Sequence, residues 1–144
     1  MIVLGIDPGK QGALAVFDTV DNSVTTHDMP DTIGGRRELL SDIGRVDMAW
    51  VERPFYPRMI GVKNATKIAE GYGILIACLD FAGIPTRLVD PSVWKKHLHL
   101  GSDKAASRAL ASMTWPDCSD QWKLVKHDGR AEAALIALYG WSKR

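Results

Sequence analysis

Short apolar segments separated by turn residues dominate the first third of the chain and predict β-strands. Residues 2–7, 13–18 and 23–28 form three such segments, with Pro-Gly and Asp-Asn turn pairs between them. Strands joined by turns this short form an antiparallel meander. The pattern next predicts a short helix over 36–43, after two glycines, and a fourth strand over 47–52.

Helical periodicity appears in the second part of the chain, where a long helix is predicted over 64–82. Its apolar side chains recur on one helical face, and they are Ile68, Tyr72, Leu75, Ile76 and Leu79. The later elements are predicted to be a strand over 86–90, a short helix from Pro91, a helix over 103–113 capped by Ser102, a loop over 114–127 and a helix over 128–141.

The order of these elements indicates an α/β fold. Three meander strands followed by alternating helices and strands predict a single domain over residues 1–144, with a five-stranded mixed sheet flanked by helices. No GxGxxG motif follows the first strand, which argues against a dinucleotide-binding fold.

The composition is that of a globular protein, with 46% hydrophobic and 24% charged residues in a chain of 144. No apolar run approaches the roughly 18 residues that a membrane span needs, so we expect no membrane partner. Asp7 comes too early in the chain for a signal peptide. Cys78 and Cys118 form neither a CxxC pair nor a disulfide framework. We therefore expect free thiols and a cytoplasmic location.

The net charge of +1 hides an asymmetry along the chain. Residues 1–52 carry a net charge of −5, whereas residues 53–144 carry +6. An acidic first third and a basic remainder permit a face that binds a polyanion, although a run of charges is more often a solvated surface.

Carboxylates stand at the ends of two predicted strands and at the start of the last helix. Asp7 ends the first strand and Glu52 ends the fourth, so both would lie at one sheet edge if these strands are neighbours. Asp128 and Glu132 are four residues apart and share a helical face. Four converging carboxylates repel one another, and a pair of Mg²⁺ or Mn²⁺ ions would relieve that repulsion. Two such ions roughly 3.5–4 Å apart form the phosphodiester-cleaving site of many nucleases.

Each of these acids also has a purely structural explanation. Asp7 before Pro-Gly is a good turn residue, and Glu52 has Arg53 beside it as an ion-pair partner. Asp128 would cap the last helix, and an acid such as Glu132 is favoured in a first helical turn. The combination of all four favours the metal site.

Four motifs occur in order along almost the whole chain: GIDPG over 5–9, VERPF over 51–55, PSVWKK over 91–96 with GSDK over 101–104, and HDGRAEAALIA over 127–137. Together they resemble the motifs of RuvC-type Holliday junction resolvases. The short chain resembles the compact phage-type branch of that family.

The resemblance implies a ribonuclease H-like fold and a homodimer that nicks two strands of a four-way DNA junction symmetrically, leaving 5′-phosphates. If the protein is phage-encoded, its location would be the host cytoplasm. Carried over by position, Asp7, Glu52 and Asp128 would bind two Mg²⁺ or Mn²⁺ ions per active site. The family spaces its last two acids three apart, whereas Asp128 and Glu132 are four apart. Glu132 is our choice for the fourth ligand, and His127 is a further candidate.

The same resemblance implies residues that contact DNA. Lys104 would neutralise the scissile phosphate as part of the catalytic machinery, and Lys95 and Lys96 would hold the DNA backbone. Phe55 follows the second acidic motif, where the family carries an aromatic side chain that stacks on opened bases. The flanking basic side chains would add phosphate contacts; these are Arg53, Arg58, Lys63 and Lys67. His127 is also expected to contact DNA. Trp115 and Trp122 are expected to pack inside the fold.

Other functions are compatible with the same sequence features. A non-catalytic module that binds branched DNA would keep the basic face without needing the acids. An RNA-processing nuclease would share the fold, and an actin-like ATPase would share the opening motif but needs two such domains. The helix over 64–82 carries more apolar residues than one face needs, among them Ile74, Ile76 and Phe81. We therefore expect it to pack against a second copy of the chain.

Overall fold

A mixed five-stranded sheet forms the centre of the structure. The structure is a computed structural model that describes residues 1–144. Its strands are β1 (Ile2–Asp7), β2 (Ala13–Asp18), β3 (Ser23–Asp28), β4 (Met48–Glu52) and β5 (Thr86–Val89). The strand order is β3-β2-β1-β4-β5, with antiparallel pairing from β1 to β3 and parallel pairing from β1 to β5. The predicted meander and the predicted mixed sheet are confirmed.

Helices cover both faces of the sheet, and each face has its own apolar cluster. The helices are α1 (Ile33–Ile43), α2 (Val62–Phe81), α3 (Pro91–His97), α4 (Lys104–Thr114) and α5 (Asp128–Ser142). Leu4 and Ile6 of β1 pack with α1 and α2, whereas Val3 packs with α5. This alternation is the two-residue period of a strand, which sends successive side chains to opposite faces. None of the helices combines the length and the apolar character that a membrane crossing requires.

Several element boundaries differ from the predictions for local reasons. The first helix begins at Ile33 rather than Arg36, because the Thr32 hydroxyl accepts a hydrogen bond from Gly35 N at 3.0 Å. The prediction that Ser102 caps the helix after it was wrong. Asp103 is the N-cap instead, since its carboxylate accepts from Ala105 N at 2.9 Å.

The segment predicted as a loop over 114–127 contains two short 3-10 turns, Pro116–Trp122 and Val125–His127. The Gln121 amide extends the sheet at its β3 edge. Its Oε1 accepts from Thr26 N at 2.6 Å, and its Nε2 donates to Val24 O at 2.6 Å. This segment therefore covers an edge strand that would otherwise present unpaired backbone groups.

The last helix, α5, lies directly on β1, and a glycine permits the close approach. A Cβ built on Gly5 would lie 2.1 Å from Ala133 O. The prediction of a single apolar stripe underestimates this helix, because α5 is buried along almost its whole length. A helix that is apolar on all sides lies in the centre of a domain. The position of α5 against β1 determines where its acidic residues meet the sheet.

Candidate active site

Asp7 and Glu52 end neighbouring parallel strands at the same edge of the sheet. The register pairs Ile6 with Val51, so each acid is the residue that follows this pair and the last residue of its strand. Val3 and Trp50 pack against α5, and the two-residue period carries Asp7 and Glu52 to that same face. The predicted juxtaposition of the two strand ends is therefore present in the structure.

Glu132 of α5 completes a group of three carboxylates. Its side chain is only 6% exposed, and its Oε1 accepts from Lys95 Nζ at 2.8 Å. The Ser107 hydroxyl lies 3.4 Å from the same oxygen. Repulsion from Glu132 contributes to the raised pKa of both Asp7 and Glu52, so the Glu132 carboxylate lies near both of these acids.

Asp7 and Glu52 lie in surroundings that disfavour their ionised forms. Burial raises the pKa of Asp7, against the opposing effect of the Gly9 N–H bond at 2.9 Å. Burial also raises the pKa of Glu52 to about 7, with further contributions from Asp7 and Glu132. Desolvation and like charges both act against carboxylates. A nearby cation would stabilise the ionised state of this group.

Two successive residues of α3 contact two of these acids. The Trp94 indole N–H donates to Glu52 Oε2 at 2.5 Å, and Lys95 pairs with Glu132 as described above. The role of Lys95 was predicted to be contact with the DNA backbone, and in this structure its ammonium group lies on Glu132. The Trp94 contact was missed, because a tryptophan in an apolar pattern gives no signal that its N–H reaches an acid.

Asp128 has a different partner. Its Oδ1 lies 2.7 Å from Arg108 Nε, although neither atom makes a well-directed hydrogen bond. The acid is the first residue of α5, and His127 occupies the N-cap position. Asp7, Glu52 and Glu132 face one edge of the sheet, but no three His, Cys, Asp or Glu side chains are close enough together in this arrangement to hold a metal ion. Asp128 as a metal ligand stays a prediction.

The residue three positions before Glu132 is Gly129, which cannot carry a side chain here. A Cβ on Gly129 would lie 2.2 Å from Gln11 O, in the turn between β1 and β2. The spacing that the resemblance leads us to expect is therefore excluded by packing, and the nearest acid is Asp128.

The donor chemistry of the site suits a hard divalent cation. Asp7, Glu52 and Glu132 offer carboxylate oxygens, which Mg²⁺ and Mn²⁺ prefer. Mutual repulsion among the acids would favour the binding of a cation. In this structure Lys95 and Arg108 supply positive charge to Glu132 and Asp128 instead.

Further predicted residues surround this group. Lys104 is the exposed first residue of α4, and its charge acts to lower the pKa of Asp7. Lys96 is exposed on α3. The Nδ1 atom of His127 is buried without a hydrogen-bond partner, and partial desolvation together with Arg130 and Lys126 lowers the pKa of this histidine.

The loop after Glu52 presents apolar and basic side chains to solvent. Phe55 is 76% exposed and Met59 is 95% exposed. Arg53 pairs loosely with Asp90 at 3.7 Å, and Arg58 and Lys63 are exposed. The aromatic and basic residues predicted to contact DNA therefore lie on one segment next to an acid of the site. The exposure of Met59 was not predicted, because its position between the prolines and α2 gives no sequence signal of it.

Ser107 was also missed by the sequence predictions. It is fully buried on α4, one turn beyond Lys104, and its hydroxyl faces Glu132. The expectation that Trp115 and Trp122 pack inside is confirmed, since both are buried in the cluster around α5.

The fold is similar to the α/β fold of RuvC-type resolvases, as predicted. The structure of Thermus thermophilus RuvC in complex with a Holliday junction substrate superimposes with a TM-score of 0.70 at 16% identity, covering 99% of this chain and 96% of that one. The fowlpox virus Holliday junction resolvase gives 0.58 at 16% identity over 99% of both chains.

The yeast mitochondrial Holliday junction resolvase gives a TM-score of 0.55 at 18% identity, over 96% of this chain and 76% of that one. By sequence, no protein-family model and no curated protein matches this chain. The structural similarity establishes the RuvC-like fold.

Proposed function

We propose that this protein is an endonuclease that cleaves Holliday junctions or related branched DNA by paired hydrolytic nicks that leave 5′-phosphates. The observation that carries the proposal is the meeting of Asp7, Glu52 and Glu132 at one sheet edge, beside the exposed loop that bears Phe55. The structural neighbours support it, because those from Thermus thermophilus and fowlpox virus were solved with Holliday junction DNA.

Divalent cations are part of the proposal. Asp7, Glu52 and Glu132 would hold Mg²⁺ or Mn²⁺, two ions per site, with Asp128 joining after it leaves Arg108. When bound, such ions supply an activated water and stabilise the leaving 3′-oxygen. The chain itself contributes positive charge at the substrate, since Lys104 is exposed beside Asp7 and would neutralise the phosphate.

The surface next to these acids fits a branched DNA substrate. Lys95 and Lys96 on α3, together with Arg53, Arg58 and Lys63 around the loop, would contact phosphates. His127 would add a contact at the start of α5. Phe55 would stack on a base exposed at the branch point, where stacking is worth roughly 1–3 kcal/mol per base.

A homodimer would supply the second nick. A groove of about 760 Å³ lies between α1 and α2 and has a mostly apolar lining. Phe81 lies at its rim and is 89% exposed. A protruding aromatic beside a complementary groove on one surface is what a two-fold symmetric interface requires. We therefore assign this groove to a second copy of the chain.

We also propose a single nuclease domain and a cytoplasmic location.

The test is cleavage of a panel of substrates with and without Mg²⁺: a four-way junction, a fork, a flap, linear duplex DNA and structured RNA. We expect Mg²⁺-dependent cleavage of branched DNA by the wild type. Asp7→Asn should bind the junction with unchanged affinity and cleave it at least about 100-fold more slowly, since the acid is needed for chemistry alone. Preference for RNA would identify an RNA-processing nuclease. Binding of branched DNA without cleavage would identify a binding module.

A further inference from the structure

Helix α3 begins directly beside Glu52, because β4 and β5 run parallel in register. Glu52 pairs with Val89 in that register, and Arg53 N donates to Val89 O at 2.8 Å. Asp90 then occupies the N-cap position of α3, and Pro91 lies in its first turn. A tight strand-to-helix connection therefore places the first turns of α3 next to the carboxyl end of β4.

Trp94 uses this position to contact the acid. Its side chain is 0% exposed, and its only hydrogen-bond donor lies 2.5 Å from Glu52 Oε2. Hydrogen bonds from a neutral donor to a carboxylate are short and strong, and a buried donor left without a partner is costly. Lys95 Nζ lies 5.2 Å from the centre of the Trp94 ring, within range of a cation–π contact. The indole therefore contacts both Glu52 and the ammonium group of Lys95, which pairs with Glu132.

The other buried tryptophans behave differently. Trp122 Nε1 donates to the Ser112 hydroxyl at 3.0 Å, Trp50 Nε1 donates to Met48 Sδ at 3.3 Å, and Trp115 Nε1 has no partner. All three pack in the cluster around α5, and none donates to an acid of the site. The hydrogen bond from Trp94 to Glu52 is thus a specific feature of the site and not a general property of buried indoles in this fold.

We propose that Trp94 is a positioning residue that holds Glu52 in a fixed orientation, occupying Oε2 and leaving Oε1 as the oxygen available to a divalent cation. The inference rests on the proposed function, and it concerns how the chain prepares one of its acids. Residues that hydrogen-bond to metal-binding side chains typically contribute 10- to 100-fold to metal affinity or activity. Without the indole N–H, Glu52 would rotate freely and the site would lose part of its preorganisation.

Trp94→Phe tests the proposal, because phenylalanine keeps an aromatic ring in the core and removes the N–H. The matched control is Trp122→Phe, which also deletes a buried indole hydrogen bond but away from the acids. Three quantities are measured: Mn²⁺ affinity by calorimetry without DNA, junction affinity in EDTA, and the single-turnover cleavage rate at saturating enzyme.

We expect Trp94→Phe to weaken Mn²⁺ binding and to slow cleavage by about tenfold or more each, with junction affinity within about twofold of the wild type. Trp122→Phe should change neither Mn²⁺ affinity nor the cleavage rate, even if both variants lose similar thermal stability. Wild-type Mn²⁺ affinity and cleavage rate in Trp94→Phe would overturn the proposal, and so would equal losses in the two variants.

A second measurement leaves Trp94 in place, in case its replacement prevents folding. The ¹H–¹⁵N spectrum of the wild type contains indole signals from five tryptophans. Glu52→Gln should move one of these signals upfield, because the acceptor loses its charge, whereas the exposed control Glu70→Gln should move none. Five unmoved signals in Glu52→Gln would overturn the proposal.

Separate results would contradict the nuclease activity and the role of Trp94. If the wild type cleaves none of the substrates while the indole and Mn²⁺ results hold, the proposed function is wrong and the role of Trp94 at Glu52 stands. If the wild type cleaves branched DNA and Trp94→Phe matches it in rate and in Mn²⁺ affinity, the role of Trp94 alone is wrong.

Discussion

Arg108 Nε lies 2.7 Å from Asp128 Oδ1 at the start of α5. Glu132 is among the charges that raise the pKa values of Asp7 and Glu52, whereas Asp128 is not. The Arg108 guanidinium thus neutralises the one acid of the predicted four that stands apart from the others. Since the two atoms make no well-directed hydrogen bond, the contact is mainly an ion pair that a competing cation would disrupt.

The Arg108 pair leads to a prediction about metal affinity. Arg108→Met should tighten Mn²⁺ binding about fivefold, roughly the effect of removing a unit charge about 4 Å away in a high dielectric. It should also lower the free energy of unfolding by about 1–3 kcal/mol, because Asp128 is left without its partner. Calorimetry and thermal unfolding measure the two effects.

Adding Asp128→Asn to Arg108→Met should abolish the gain in Mn²⁺ affinity, since the released acid is its source. Arg87→Met is the control, because Arg87 lies over the Trp50 ring and contacts none of the acids. An affinity gain that persists without Asp128 would contradict its assignment as a ligand.

Glu52 should make the metal-free protein less stable as the pH rises. Burial raises the pKa of Glu52 to about 7, above its unfolded value near 4.5, so the folded state binds the proton more tightly. Its contribution is then fully present below pH 4.5 and is lost between pH 4.5 and 7. Glu52→Gln removes this loss and should be more stable than the wild type by about 3 kcal/mol at pH 8, with little difference at pH 4.

Thermal unfolding in EDTA at pH 4, 6 and 8 measures this difference. The exposed Glu70→Gln should show no such pH-dependent gain. A Glu52→Gln variant that is less stable than the wild type at pH 8 would mean that the Trp94 bond to the carboxylate outweighs its burial.

Phe55 should contribute to binding of branched DNA and not to folding. Its side chain is exposed, so Phe55→Ala should leave thermal stability unchanged and weaken junction binding by roughly 1–3 kcal/mol, or about 5- to 150-fold. Fluorescence anisotropy with a four-way junction and with linear duplex measures the effect, which should be confined to the junction. Val20→Ala removes an equally exposed apolar side chain from the turn after β2 and should change neither affinity. An equal loss on linear duplex would exclude stacking at the branch point.

Phe81 should be needed for dimer formation. Phe81→Lys places a charge at the rim of the apolar groove between α1 and α2, and burying an unpaired charge costs several kcal/mol. We expect a dimer for the wild type and a monomer for this variant by light scattering at micromolar concentration. Met113→Lys, an exposed position on α4, should remain dimeric. A wild-type monomer would refute the assignment of the groove to a second copy.

Local sequence patterns predicted the strands well because their signals are local. Alternation of side chains and tight turns located β1, β2 and β3 at the bounds observed in the structure. The helix cap at 102–103 was wrong for an equally local reason: Ser102 and Asp103 are both good caps, and only the backbone geometry selects the one whose oxygen reaches Ala105 N.

The candidate site was predictable where it depended on strand order. Asp7 and Glu52 follow buried strands, and the parallel pairing of β1 with β4 brings their ends together. Trp94 and Ser107 were not predictable, because each meets its acid through a contact between distant segments. A hydroxyl or an indole N–H gives no periodic signal of its partner.

By itself, the sequence determined the order of the strands and α-helices, the α/β class and the acids that end the strands, because these depend on short-range patterns and on the two-residue period of a strand. Only the tertiary structure decided the partners of those acids. Gly129 must pack against the β1–β2 turn, and this sets α5 so that Glu132 meets Lys95 while Asp128 meets Arg108. Such pairings depend on the distance between whole elements, which packing of the core determines.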